Sequence, residues 1–172
     1  QRKQFDDAAE FIRHALDASP GNVAYQANLV AVLLSQNMAG EAELLCRRIL
    51  KQQPEHVTAL KHLGTALRKQ NRLAEALSAL QQCAQLTPDD SELLCNLGAV
   101  YSDLGRVDDA LSAFQRACSV KTDQPEIHLN LGAVFRKLGR FSESLMSLNR
   151  SIELAPNRSE AFVNRGNLFL VQ

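Results

Sequence analysis

The sequence predicts an all-α fold, a solenoid of antiparallel helix pairs, on three observations. Glycines, alanines and prolines recur every 34 residues, apolar residues inside each period fall at steps of three and four, and a tight turn breaks that pattern once per period. A fixed period of this length makes each unit one supersecondary element, which buries its apolar face only by stacking on its neighbours.

The elements follow in order from that period. Pro20, Pro54 and Pro88 are 34 apart, and Pro156 lies 68 beyond Pro88 with Thr122 at the skipped place. Gly64, Gly98, Gly132 and Gly166 keep the same step, as do Ala8, Ala42, Ala76 and Ala110, with Ser144 next in that series. Residues 1–22 are then the second helix of a partial unit, 23–56, 57–90, 91–124 and 125–158 are complete units, and 159–172 is the first helix of a further one, all in a single solenoid over 1–172. Within 91–124, Leu94, Leu97, Val100, Tyr101 and Leu104 form one helical stripe, Gly105 interrupts, and Val107, Ala110, Leu111, Phe114, Ala117 and Val120 resume the period. Asp108 and Asp109 mark the start of that second helix, where carboxylates meet the positive end of the helix dipole. Asp123 with Glu126 and Asn157 with Glu160 have capping-box spacing at the head of first helices, and Pro125 suits a first turn, where its missing N–H costs little. The prolines near unit ends stop second helices.

A glycine inside a helix costs about 1 kcal/mol relative to alanine. The recurring glycines therefore imply close helix packing as compensation, and the alanine series is the expected small partner on the facing helix. Unit 23–56 departs from this, with Val30 in place of the glycine and Cys46 in place of the large residue of the second helix, so looser or differently angled packing is expected there.

The succession Leu97-Gly98, Tyr101, Ala110, Phe114 and Ala117, with proline near unit ends, resembles the tetratricopeptide repeat, and the resemblance runs through the whole chain. The family's first-helix tryptophan is replaced by Gln26, Leu60, Leu94, His128 and Phe162. The resemblance implies a right-handed superhelix whose concave face, built mainly from first helices, binds peptide segments of other proteins.

Charge and composition limit the alternatives. Nineteen Lys and Arg balance nineteen Asp and Glu, and there is no Trp and only two Tyr, so nucleic acid is not an expected partner. The longest apolar run, Leu29 to Leu34, is far below the roughly 20 residues of a membrane span, so a membrane partner is not expected either. Cys46, Cys83, Cys95 and Cys118 lack C-x-x-C or metal-ligand spacing and read as small hydrophobes under reducing conditions, which places the chain in the cytoplasm with no metal or cofactor. No P-loop, dinucleotide motif, H-E-x-x-H or G-x-S-x-G is present, and no enzymatic activity is expected of this segment. A thiol–imidazole pair between His62 and Cys95 is outweighed by a groove-lining histidine beside an unreactive thiol. His14 and His56 fall near unit ends as solvated residues, and His128, at a tryptophan place, as a packing residue.

Binding is expected along the first helices. Asn28, His62, Asn96, Asn130 and Asn164 form a column at 34-residue steps. A carboxamide donates and accepts, so it can hold the N–H and C=O of an extended peptide, or alternatively bond a neighbouring helix. The column resembles the asparagine ladder of O-GlcNAc transferase and related scaffolds. Lys61, Arg68 and Lys69 form one basic cluster and Arg136 and Lys137 another, around acidic Glu92, Asp103 and Glu126, a pattern that fits a peptide of patterned charge or an ordinary solvated face. The family's carboxylate clamp for acidic peptide C-termini is not reproduced, because Thr65 stands for an asparagine and Glu126 for a lysine. The expected function is a peptide-binding scaffold. Two alternatives are a substrate-recruiting arm of a larger glycosyltransferase or sulfotransferase, and self-association through uncapped ends, since Phe162, Leu168, Phe169, Leu170 and Val171 of the last helix have no second helix to cover them.

Overall fold

The computed structural model describes residues 2–170, and among these the chain is all α, with ten helices. It divides into two compact units, Gln1–Thr87 and Pro88–Gln172. The first holds α1 (Arg2–Ala18), α2 (Val23–Ser35), α3 (Ala39–Gln52), α4 (Val57–Lys69) and α5 (Leu73–Leu86). The second holds α6 (Ser91–Asp103), α7 (Val107–Val120), α8 (Pro125–Lys137), α9 (Phe141–Leu154) and α10 (Ser159–Phe169). Within each unit every helix packs on its sequence neighbour, and first helices also pack on first helices: α2 on α4, and α8 on both α6 and α10.

Each short turn between paired helices rests on one left-handed residue: Asn37 (φ 63°), Asn71 (φ 61°), Gly105 (φ 75°) and Gly139 (φ 72°). The backbone N–H three residues past the helix end then reaches back to the last turn, as from Met38 to the Leu33 carbonyl at 2.8 Å and from Arg106 to the Tyr101 carbonyl at 2.9 Å. This Schellman geometry satisfies carbonyls that the helix end would leave orphaned. Asparagine serves where glycine is absent because its short polar side chain tolerates the left-handed region.

At the start of first helices, Asn22, His56 and Asp90 each accept a bond from the backbone N–H three residues on, at 3.0–3.1 Å. His56 is therefore a helix cap rather than merely a solvated residue. The expected boxes at Asp123 and Asn157 are displaced: the cap positions of α8 and α10 are Gln124 and Arg158, one residue later in the same register, and neither makes a side-chain cap bond. Asp123 instead accepts from Arg150 at 3.0 Å, and Pro125 does occupy the first turn of α8.

The glycine contact adds a large side chain to the expected small-residue pairing. A methyl group added at Gly98 would lie 2.7 Å from the Phe114 ring, and one at Gly132 would lie 2.6 Å from Leu148; Gly64 stands in the same relation to Leu80. The large residue of the partner helix thus fills the space of the missing side chain. The small residues one turn earlier, Ala76, Ala110 and Ser144, are fully buried and let the backbones close, with the Ser144 hydroxyl donating to the Gly132 carbonyl at 2.7 Å. In 23–56 the sizes are exchanged. Val30 and Cys46 are both 0% exposed, so the contact there is filled rather than loose.

Polar contacts tie successive helix pairs within a unit. The buried Glu43 carboxylate on α3 accepts from Arg47 (2.8 Å), Gln70 (2.8 Å) and Arg72 (2.7 Å), and Arg72 also pairs with Glu75. Burial pushes the Glu43 carboxyl up, but its three hydrogen-bond donors and the Arg72 charge outweigh this and hold it below the usual value. In the second unit Phe114, Ala117, Ile127, Leu131 and Val134 form a core shared by α7 and α8.

Two outcomes follow from these contacts. Gly98→Ala costs about 1–3 kcal/mol in overpacking, more than the roughly 1 kcal/mol returned in helix propensity, whereas Gly166→Ala, where nothing lies within 4 Å of the added methyl, collects the propensity gain alone. Denaturant melts of the two variants should shift in opposite directions; a rise in both would remove the packing constraint. The depressed folded-state pKa of Glu43 means that its contribution is fully present above the unfolded value of about 4.3 and is lost as pH falls through the lower folded value. Glu43→Gln should therefore lower stability at neutral pH and flatten its fall with acid, measured by urea melts across that window.

Candidate functional site

The candidate surface lies on the first helices and is described unit by unit. In the second unit Asn96 on α6, Asn130 on α8 and Asn164 on α10 are all half-buried. They stand at one register position on three helices that pack side by side, α8 between α6 and α10. Their neighbours explain the placement. In α6 the buried face is Leu93, Leu94, Leu97, Gly98 and Val100, which leaves Glu92, Asn96, Ala99 and Asp103 along the other side at helical spacing. In α8 the equivalent line is Glu126, Asn130, Ala133 and Lys137.

The charged residues of this unit are partly engaged. The Lys137 ammonium crosses from α8 to α6, donating to the Ser102 hydroxyl at 2.8 Å and its carbonyl at 3.2 Å. Glu126 pairs with Arg158 at 3.5 Å, while Arg136 is exposed. Both basic residues occupy the last turn of α8, where the helix dipole favours them. These cross-helix partners, Ser102 and Arg158, were not singled out in the sequence, although each lies about one period from the residue it touches.

In the first unit Asn28 on α2 is exposed and His62 on α4 is half-buried. Lys61 differs from expectation: it is buried, at 8% exposure. Its register position is equally buried where Ala27 and Leu129 occupy it, so the lysine stem packs as an apolar side chain would. Arg68 and Lys69 are exposed in the last turn of α4, and Lys69 donates to Asn37 at 3.2 Å. Thr65, at a carboxylate-clamp position, turns its hydroxyl onto the Lys61 carbonyl at 3.1 Å. Gln26, at a tryptophan place, is buried, with its amide nitrogen donating to the Pro20 carbonyl at 2.8 Å and its side-chain oxygen unpartnered.

The cysteine beside this line, Cys95, lacks the electrostatics of a reactive nucleophile. The Cys95 thiol is pushed up to about 12, first by burial and then by the carboxylates of Glu126 and Glu92, the reverse of what a reactive thiolate needs. Burial does the same to Cys46, also to about 12, and raises Cys118. His128 holds the Thr122 carbonyl at 2.8 Å, a local polar tether at the head of α8. Among the described residues no group of three or more His, Cys, Asp or Glu gathers to hold a metal ion, and no helix is long and apolar enough to cross a membrane.

Paired helices joined by Schellman turns, with a glycine contact inside three of the pairs and a polar line along the first helices, define a helix-pair repeat protein. Tetratricopeptide repeat family models match residues 1–67, 64–105, 100–139 and 125–158, so that together they span 1–158. The chain belongs to the tetratricopeptide repeat family. No curated protein matches the sequence. Among solved structures it is similar to a thermophilic TPR protein of Thermus thermophilus, at 23% identity over 98% of this chain and 92% of that one, with a TM-score of 0.86. It is also similar to pilF of Pseudomonas aeruginosa (21% identity, 99% of this chain and 78% of that one, TM-score 0.79). A third is YrrB, described as a TPR protein with an unusual peptide-binding site (22% identity, 95% of this chain and 84% of that one, TM-score 0.69). At these identities the likeness establishes the fold.

The Cys95 environment makes a direct prediction. At pH 8 a thiol near 12 carries on the order of a thousandfold less thiolate than a free cysteine, so alkylation of Cys95 in the folded chain should be correspondingly slow and should become fast in denaturant. Mass-resolved labelling with iodoacetamide reads this; rapid native labelling of Cys95 would contradict the assigned environment.

Proposed function

We propose that the chain is a protein-interaction scaffold that holds extended peptide segments along its first helices, with repeat units at 23–56, 57–90, 91–124 and 125–158. Tetratricopeptide repeats generally mediate protein–protein interaction, and the structural relative YrrB carries a peptide-binding site by its description. The observation that carries the reading is the set of half-buried amides Asn96, Asn130 and Asn164 at one register position on the adjacent helices α6, α8 and α10. A carboxamide so placed offers a donor and an acceptor to a passing backbone, while partial burial restricts its rotamers before the ligand arrives. Asn28 and His62 are the equivalent positions of the first unit.

Magnitude limits what the amides do alone. Three rungs at about 1 kcal/mol net give about 3 kcal/mol, weaker than millimolar affinity. Side-chain contacts must supply the remainder. Exposed Arg136, Glu92 and Asp103 in the second unit, and Arg68 with Lys69 in the first, provide a charge pattern for a partner to match. Lys61 acts from beneath this surface rather than on it, and Lys137 contributes while tethered to Ser102.

For a peptide recovered by affinity capture and mapped to this surface, Asn96→Ala with Asn130→Ala should weaken binding about fivefold or more, since two lost hydrogen bonds are worth about 1–3 kcal/mol. Calorimetric titration of the double variant checks this. Unchanged affinity, with the melting curve also unchanged, would exclude the amides from recognition.

A further inference from the structure

The junction of α1 with the pair α2 and α3 holds a cavity of about 330 Å³, lined by Leu16, Asp17, Pro20, Gln26, Leu45 and Arg48. That volume is at the small end of the roughly 300–1,000 Å³ of small-molecule sites. None of the lining residues belongs to the amide line of the first helices. Leu16 is half-buried, as are Leu50, Ala84, Cys118 and Ile152 at the same register, so its wall is the ordinary wall of a repeat. Particular to this junction are two polar groups that the packing leaves over.

The first is an acceptor. Gln26 is 1% exposed, at a register where Leu60 and Leu94 are also buried. Its amide nitrogen donates to the Pro20 carbonyl at 2.8 Å, which fixes the orientation of the carboxamide, and its side-chain oxygen has no hydrogen-bond partner. An unsatisfied buried acceptor is costly, and a donor brought into the cavity relieves it. The second is a donor. Arg116 and Arg150 stand two and three periods after Arg48. Arg116 reaches back to the Pro88 carbonyl at 3.2 Å and the Asp89 carboxylate at 3.4 Å, and Arg150 reaches the Asp123 carboxylate at 3.0 Å. Arg48 has neither anchor: Gly21 stands at the register of Asp89 and Asp123, and the Pro20 carbonyl is already engaged by Gln26. Arg48 is exposed and makes no hydrogen bond or ion pair among the described residues.

We propose that this cavity binds an apolar α-amino acid. Its carboxylate meets Arg48 in the place that Asp89 and Asp123 fill for the later arginines, its α-nitrogen donates to the Gln26 oxygen, and its side chain lies against Leu16, Leu45 and Pro20. The planar guanidinium matches a carboxylate with two parallel hydrogen bonds. The same chemistry is offered by a free amino acid, whose ammonium the Asp17 carboxylate also attracts, and by the last residue of a peptide, whose α-nitrogen is a neutral amide. The site is separate from the peptide surface proposed above and does not rest on it.

Nuclear magnetic resonance titration of the 172-residue chain with leucine, leucinamide and N-acetylleucine tests each feature. Leucine should shift the Leu16 and Leu45 methyl and Gln26 side-chain amide signals saturably, with a dissociation constant of about 1 mM or tighter. Leucinamide lacks the carboxylate and should bind at least tenfold more weakly. N-acetylleucine stands for a peptide end: binding weaker than leucine assigns the site to free amino acids, and tighter binding assigns it to chain ends. Gly21→Asp, where an added Cβ meets nothing within 4 Å, returns a carboxylate to Arg48 from within the chain and should abolish binding. Arg48→Gln installs the residue that α5 carries at this register, Gln82, and should weaken leucine at least tenfold while leaving leucinamide unchanged, a split that general loss of structure would not produce. Absence of saturable shifts into the tens of millimolar, equal affinity for leucine and leucinamide, or a folded Gly21→Asp chain that binds leucine as the unaltered chain does would each overturn the proposal.

Discussion

The interaction on which the rest depends is the meeting of an absent side chain on one helix with a large one on its partner. Gly64 with Leu80, Gly98 with Phe114 and Gly132 with Leu148 let paired helices approach until apolar side chains occupy the space of the missing Cβ atoms. Each glycine weakens its own helix by about 1 kcal/mol and recovers more through the burial it permits. The exchange at Val30 and Cys46 shows that the constraint is on the summed volume of the pair, since reversing which member is large leaves both fully buried.

Around that contact, backbone chemistry sets the direction of the chain. The left-handed residues at 37, 71, 105 and 139 reverse it, and the cap positions at 22, 56, 90, 124 and 158 start it again, all in the same register. Polar side chains then join one pair to the next within each unit. Most of these are exposed pairs, such as Arg150 with Asp123, which contribute little individually. Glu43 differs because its carboxylate is buried, so its three donors must all be in place to avoid leaving an uncompensated charge inside the protein.

The candidate face follows from what those contacts leave over. Once Leu93, Leu94, Leu97 and Val100 of α6 are committed to packing, the residues between them at helical spacing are left along the other side of the helix. They are amides, alanines and carboxylates rather than nucleophiles, and the thiol among them is held protonated by burial and by two neighbouring carboxylates.

By itself the sequence determined the period, the pairing of helices within it, the break at Gly105, the first-turn proline of α8 and the line of asparagines, because each is a matter of spacing along a covalent chain. It pointed to the glycines as sites of close approach to the small alanine series but did not name the large side chain that enters each space, since spacing does not say in which direction a side chain leans across to another helix. Only the tertiary structure decided that Leu80, Phe114 and Leu148 fill those spaces, that the caps at Gln124 and Arg158 lie one residue beyond the acidic and amide residues expected there, and that Lys61 is buried while Asn28 is exposed. These are properties of what faces a residue across space, and that is settled when helices from different parts of the chain compete for the same volume.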